Sequence, residues 1–141
     1  MTVADYIGAF RSYLLSEAGI SGLVGTRIFA SAVPVSEAVN MPRKIVVLSP
    51  ASGSYLLESS YLATSERTLD VRCYGETAYE AWLVHQQVYS SLKSMRSRFE
   101  GAVKLFWASP YSTGETLRDP DTEWDFVFSS WRVYVADYEA V

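Results

Sequence analysis

Residues 66–95 constrain this chain most, because two hydrophobic periods meet there across a single glycine. In Glu66-Arg67-Thr68-Leu69-Asp70-Val71-Arg72-Cys73-Tyr74, the apolar Leu69, Val71 and Cys73 alternate with Thr68, Asp70, Arg72 and Tyr74. A period of two marks a strand with one buried and one polar face. Gly75 ends it, and Thr77-Ala78-Tyr79-Glu80 has the Thr and Glu of a capping box, the signature of a helix start. At helical spacing, Ala78, Ala81, Val84, His85, Val88, Tyr89, Leu92 and Met95 then share one side, with Gln86, Gln87, Ser90, Lys93 and Ser94 opposite. The pattern predicts a helix over 77–96 whose stripe lies on the Leu69/Val71/Cys73 face of the strand. That unit is a scaffold and carries no reaction chemistry.

The rest of the chain supplies partners for it. Thr2-x-x-Asp5 resembles a second capping box and predicts a helix to about Ala18, ended by Gly19. Its apolar face is Val3, Tyr6, Ile7, Phe10, Tyr13 and Leu14, while Asp5, Ala9, Ser12 and Ser16 look outward. Gly19, Gly22 and Gly25 punctuate the turn into a short strand, Thr26-Arg27-Ile28-Phe29-Ala30. After a polar connection over 34–42, residues 44–49 read as a strand with little alternation, hence covered on both faces.

Residues 49–65 are irregular and serine-rich, yet carry Tyr55, Leu56, Leu57, Tyr61 and Leu62. Two readings stand: these side chains tuck onto the core or extend the strands, or they meet a partner. Residues 102–108 form a strand, residues 110–123 a second long excursion with turn chemistry at Gly114 and Asp119-Pro120-Asp121, and residues 124–136 the last strand. In that strand the large residues change phase, from Trp124/Phe126/Phe128 to Trp131/Val133/Val135. Either a bulge at Ser129-Ser130 keeps them on one face, or the strand buries different faces at its two ends. The element order is α-β-β-β-α-β-β. It predicts one α+β domain over residues 1–141, with two helices packed on one face of a mostly antiparallel four- or five-stranded sheet. The other sheet face carries Thr68, Asp70, Arg72, Lys104, Arg132 and Tyr134.

Charge and motif exclude more than they suggest. A net charge of −4 argues against a nucleic-acid binder, which needs a basic surface to release counterions. Lys93, Arg96 and Arg98 are expected in the last turns of the second helix, where cations favour its dipole. The single cysteine, Cys73, cannot form an intramolecular disulfide and sits on a buried strand face. The aliphatic run Ile45-Val46-Val47-Leu48 is too short to cross a bilayer, and no charged-then-apolar signal opens the chain, so synthesis in the cytosol without a membrane partner is expected.

His85, the only histidine, falls inside an apolar stripe and reads as a packed residue bonded to a backbone or tyrosine group. Asp119-x-Asp121-x-Glu123-x-Asp125 lacks the glycine and glutamate of a calcium loop and reads as a solvated turn. No catalytic, cofactor-binding or metal-binding residue is predicted, and no enzyme. What stands out is apolar surface: Tyr79 and Leu83 point away from the helix stripe, with Trp82 on its border, as a subunit contact would require. A 14% aromatic share, concentrated in the second half, points the same way.

The succession of segments resembles the tail terminator (tail completion) proteins of long-tailed bacteriophages. The resemblance rests on Ile20-Ser21-Gly22-Leu23-Val24-Gly25-Thr26-Arg27-Ile28-Phe29 after a short helix, then Met41-Pro42-Arg43-Lys44-Ile45-Val46-Val47. It continues through Leu69-Asp70-Val71-Arg72-Cys73-Tyr74, Tyr79-Glu80-Ala81 and two aromatic closing strands. It implies a structural protein forming a ring, commonly of six subunits, that caps the tail tube, ends its polymerisation and joins the head connector. The partners implied are further copies of the chain, the tube protein and the connector protein. DNA would pass through the lumen without specific binding. The place implied is the head-proximal end of the tail, after assembly in the host cytoplasm. The alternatives are another neck or head-completion protein, or a small α+β enzyme using His85. The residues expected at subunit or tube contacts are Tyr55, Leu56, Leu57, Tyr61, Tyr79, Leu83, Tyr111, Leu117 and Arg118.

Overall fold

The computed structural model describes residues 4–51 and 64–136. Its first half holds α1 (Tyr6–Ser16), α2 (Ala18–Val24), β1 (Ile28–Ala30), α3 (Val35–Ala38) and β2 (Ile45–Ala51). The second half holds β3 (Thr64–Gly75), α4 (Ala78–Lys93), β4 (Arg98–Glu100), β5 (Val103–Pro110), β6 (Glu115–Arg118) and β7 (Asp125–Ala136). The strand-glycine-helix unit is β3 and α4. Thr77 caps α4 by accepting from the Glu80 amide at 3.2 Å, and the Glu80 carboxylate accepts from the Glu76 amide at 3.0 Å. Both contacts satisfy amides that a helix start leaves open.

The strands form one sheet in the order β1-β2-β3-β7-β5-β4, with β6 also on β7. Every pairing is antiparallel except β1 on β2. The class is α+β as expected, but among the described residues the sheet has seven strands and there are four helices. The additions are pieces of three or four residues (β4, β6, α3) and the short α2, each too brief to show a hydrophobic period. The expected single helix to Ala18 breaks at Glu17, whose backbone is extended, and α2 starts at Ala18. Gly19 and Gly22 therefore lie inside α2, and Gly25, at φ 61°, ends it. The N-cap of α1 is Asp5, accepting from the Gly8 amide at 3.0 Å. Ala9 is buried, contrary to expectation, because α1 is covered over a wider arc than one stripe. The helix α4 ends at Lys93, three residues short of the expected end, and Arg98 lies in β4.

The main core lies between the sheet and α1, α2 and α4, with Phe10, Leu14, Ile20, Leu69, Val71, Leu92, Leu105, Trp131 and Val133 at or near zero exposure. Cys73 is buried there, which pushes its thiol pKa up. A smaller cluster forms on the opposite sheet face from Ile45, Val47 and Tyr74, covered by Val33, Met41, Trp124 and Phe126. The covering of both faces is why Ile45, Val46, Val47 and Leu48 are all buried. The helical layer is thus not the only cover: the connection holding α3 packs on the other side. The phase change in β7 resolves without a bulge against β3. Register runs unbroken from Thr64↔Ala136 to Gly75↔Asp125, so Phe126 and Trp131 serve opposite faces.

Two glycines in this layer predict opposite outcomes. A Cβ on Gly75 would overlap the backbone of Ala81 at the start of α4, whereas one on Gly22 would meet nothing within 4 Å. Gly75→Ala is expected to lose about 2–4 kcal/mol in urea unfolding, because backbone must move. Gly22→Ala is expected to gain roughly 0.5–1 kcal/mol by helix propensity.

Candidate assembly surfaces

The outward face of α4 presents Tyr79 at 68% exposure, Leu83 at 38% and Trp82 at 37%. Positions 79, 82 and 83 are neighbours on a helix surface, so these side chains make one apolar strip. Behind Trp82 a line of rings runs inward: Trp82 to His85 at 5.2 Å, His85 to Tyr89 at 5.8 Å, and Tyr89 to Trp131 at 5.3 Å. The strip is therefore backed by a rigid aromatic column.

His85 is 1% exposed and makes one polar contact, its Nε2 lying 2.8 Å from the Thr113 carbonyl. A carbonyl only accepts, so Nε2 carries the proton. Nδ1 has no partner among the described residues. Burial pushes the His85 pKa below its ordinary value, and the Thr113 contact opposes this only in part. Gly114 packs directly on the ring, with φ 112° and no room for a Cβ beside Nε2. His85 is thus a clamp on backbone, matching the expectation of a packed, backbone-bonded histidine.

The segment it clamps, expected as an excursion over 110–123, is part ladder: Pro110 ends β5, Glu115–Arg118 form β6, and the rest is bend and turn. β5 pairs with the C-terminal half of β7 (Leu105↔Val135 to Pro110↔Trp131), and β6 pairs with the N-terminal half (Glu115↔Phe128 to Arg118↔Asp125). The Tyr111 amide donates to the Ser130 carbonyl at 2.8 Å, so only about three residues leave the edge. The sequence hid this because β6 has four polar or exposed residues and no alternation of burial. Asp119 organises the β6–β7 turn by accepting from the amides of Asp121 (2.8 Å) and Thr122 (3.2 Å), which hold its carboxyl below the usual range.

On the sheet face away from α4, register places Leu117 beside Phe126, and Tyr111 lies under the Arg132 guanidinium at 4.9 Å. Arg132 also pairs with Glu66 at 3.1 Å, and Ser130 donates to Asp70 at 2.8 Å. Tyr79 and Leu83 are thus on the helical surface, whereas Tyr111 and Leu117 are on the open sheet surface. Arg118 is exposed at the hairpin and donates to the Glu123 carbonyl at 3.2 Å. Tyr55, Leu56, Leu57 and Tyr61 lie outside the described residues.

The sequence reading missed a second group on the open face. A register shift between Leu105 and Trp107 lets Phe106 and Trp107 both reach Tyr134, at 5.5 Å and 5.7 Å. Lys104 sits over the rings of Phe99 (5.3 Å) and Phe106 (5.2 Å). Phe99 is 56% exposed and Trp107 40%. The available signal was the adjacent pair Phe106-Trp107, which a strict alternation cannot bury on one side.

No family model matches the chain, and no curated protein matches it. Among solved structures, a chain of the virion of a native gene transfer agent particle has the same fold. The TM-score is 0.62 at 15% identity, covering 94% of this chain and 99% of that one. At that identity the likeness speaks for the fold.

The state of His85 sets a pH dependence. Because the folded pKa lies below 6.5, the unfolded chain binds a proton more readily than the folded one. Its contribution is intact above that value and is lost as pH falls below it. Urea unfolding at a series of pH values is expected to show this loss. His85→Gln should remove the dependence while costing roughly 1–3 kcal/mol at neutral pH.

Proposed function

We propose that this chain is a structural protein of a virion, and more specifically a tail terminator. In this reading, residues 1–141 act as one domain, copies close into a ring of about six, and the ring caps the tail tube and meets the head connector. The observation that carries the reading is the fold shared over nearly the full length of a virion chain, together with the order of segments that resembles the tail terminator family. Two further features support it. A head-to-tail ring uses two different patches on each subunit. Here the Tyr79/Trp82/Leu83 strip and the open-face residues Tyr111 and Leu117 lie on opposite surfaces. His85, the residue an enzyme reading would need, spends its one polar contact holding a strand crossover.

Tyr55, Leu56, Leu57 and Tyr61 are the remaining proposed contacts, with Arg118 on the polar rim of the ring interface. An acidic lumen would let DNA pass without gripping it. The ring is proposed for the head-proximal end of the tail, assembled in the host cytoplasm. The gene transfer agent match names a virion and no station within it, which equally favours another neck or head-completion protein. Electron microscopy of the full chain mixed with tail tubes tests the choice. The expected outcome is a ring on one end of each tube and arrested tube growth. Rings that bind connector and leave tubes uncapped would give the neck-protein reading instead. Replacing residues 54–61 by a glycine-serine turn is expected to leave thermal unfolding unchanged and abolish capping.

A further inference from the structure

The charge of this chain is unevenly placed. Residues 115–125, which form β6, the hairpin turn and the start of β7, carry five carboxylates against Arg118 alone. Their net charge of −4 equals that of the whole chain, so the remainder is balanced. The turn is closed by the Asp119 carboxylate on two amides, and Asp121 and Glu123 are exposed, Glu123 lying 3.9 Å from the Arg118 guanidinium. Leu117 adds an exposed apolar side chain beside them.

At the other end of β7 is a surface of opposite character. Exposed Phe99 and Trp107 flank a half-buried Phe106 in an aromatic platform, Phe106 and Trp107 lying against Tyr134 and the Lys104 ammonium over the Phe99 and Phe106 rings. Among the described residues Lys104 has no carboxylate within ion-pairing distance. Hairpin and platform lie on one strand, separated from Asp125 to Val135 by roughly 33 Å at about 3.3 Å per residue, so they cannot meet within one molecule. Among the described residues both are also at sheet margins: β4, which carries Phe99, ends the strand order, and β6 pairs only with β7. Each therefore presents a backbone edge unpaired among the described residues, of the kind that accepts another strand.

We propose that the Phe99/Lys104/Trp107 platform is the docking site for the acidic β6–β7 hairpin of a second copy of this chain. The inference rests on the ring reading above and adds a contact to those it names. Lys104 meets Asp121 and Glu123, Leu117 covers the platform rings, and the joint is head to tail because its two halves differ. Such a joint repeats from copy to copy until it closes. Charge across it sets register and raises the rate of encounter, and the rings supply the buried area.

Sedimentation of the full chain tests the joint. Self-association is expected to weaken as salt rises from about 50 mM to about 500 mM. Lys104→Glu, and Asp121→Lys with Glu123→Lys, should each weaken it about tenfold or more, and a chain carrying all three changes should return to within about threefold of the original. These positions are at the surface, and near-ultraviolet circular dichroism checks that each variant folds. Reversals that leave association unchanged, or a triple variant no better than its parents, would overturn the proposal. A second readout mixes Lys104→Cys chains with Asp121→Cys chains under oxidation, the native Cys73 being wholly buried. Disulfides between unlike chains support the joint, and Lys104→Cys chains linking to each other would overturn it. If tubes are still capped while the reversals have no effect, the contact is wrong and the terminator reading stands. Chains that neither associate nor bind tubes would remove both.

Discussion

The pairing of β3 with β7 is the constraint on which the rest of the molecule depends. Its register runs from Thr64↔Ala136 to Gly75↔Asp125 without a shift, so alternation is enforced over the full length of both strands. Val127, Ser129, Trp131, Val133 and Val135 consequently face the helices, and Phe126, Phe128, Arg132 and Tyr134 face away. Even the polar member of the inner row is accounted for: the Ser129 hydroxyl accepts from the Trp131 indole at 3.1 Å. Because Phe126 is forced outward with Tyr74, a second apolar cluster arises on that side. The connection between β1 and β2 has to cover it.

The free edge of β7 is shared between β5 and β6, and the chain must step across it in a few residues. That step would strand backbone polar groups against a core. His85 accounts for the Thr113 carbonyl, and Gly114 allows both the approach and the positive φ. A histidine within an apolar stripe is thus explained by a single part-buried hydrogen bond. The bond ties the helical layer to the strand that carries the acidic hairpin.

The arrangement leaves a surface of uneven character. Its exposed aromatic and apolar residues are split between two surfaces, and its negative charge is concentrated at one tip. Contacts of unlike halves make rings or filaments rather than isolated pairs. The fold is shared with a chain of a gene transfer agent virion.

Elements with a long hydrophobic period were legible from the residues alone. The β3–α4 unit, its Thr77 cap, the buried Cys73 and the doubly covered β2 all followed from periods of two or 3.6 and from capping chemistry. So did the outward placement of Tyr79 and Leu83, since a helix face is a local property. Only the tertiary structure decided what a local period cannot encode. The break at Glu17 and the split of one strand edge between β5 and β6 depend on which element lies alongside. The Phe106/Trp107 platform depends on a register shift set by β7, and the partner of His85 comes from 28 residues downstream. Pairing across long sequence separations is fixed by the packing of whole faces, and no window of residues holds that information.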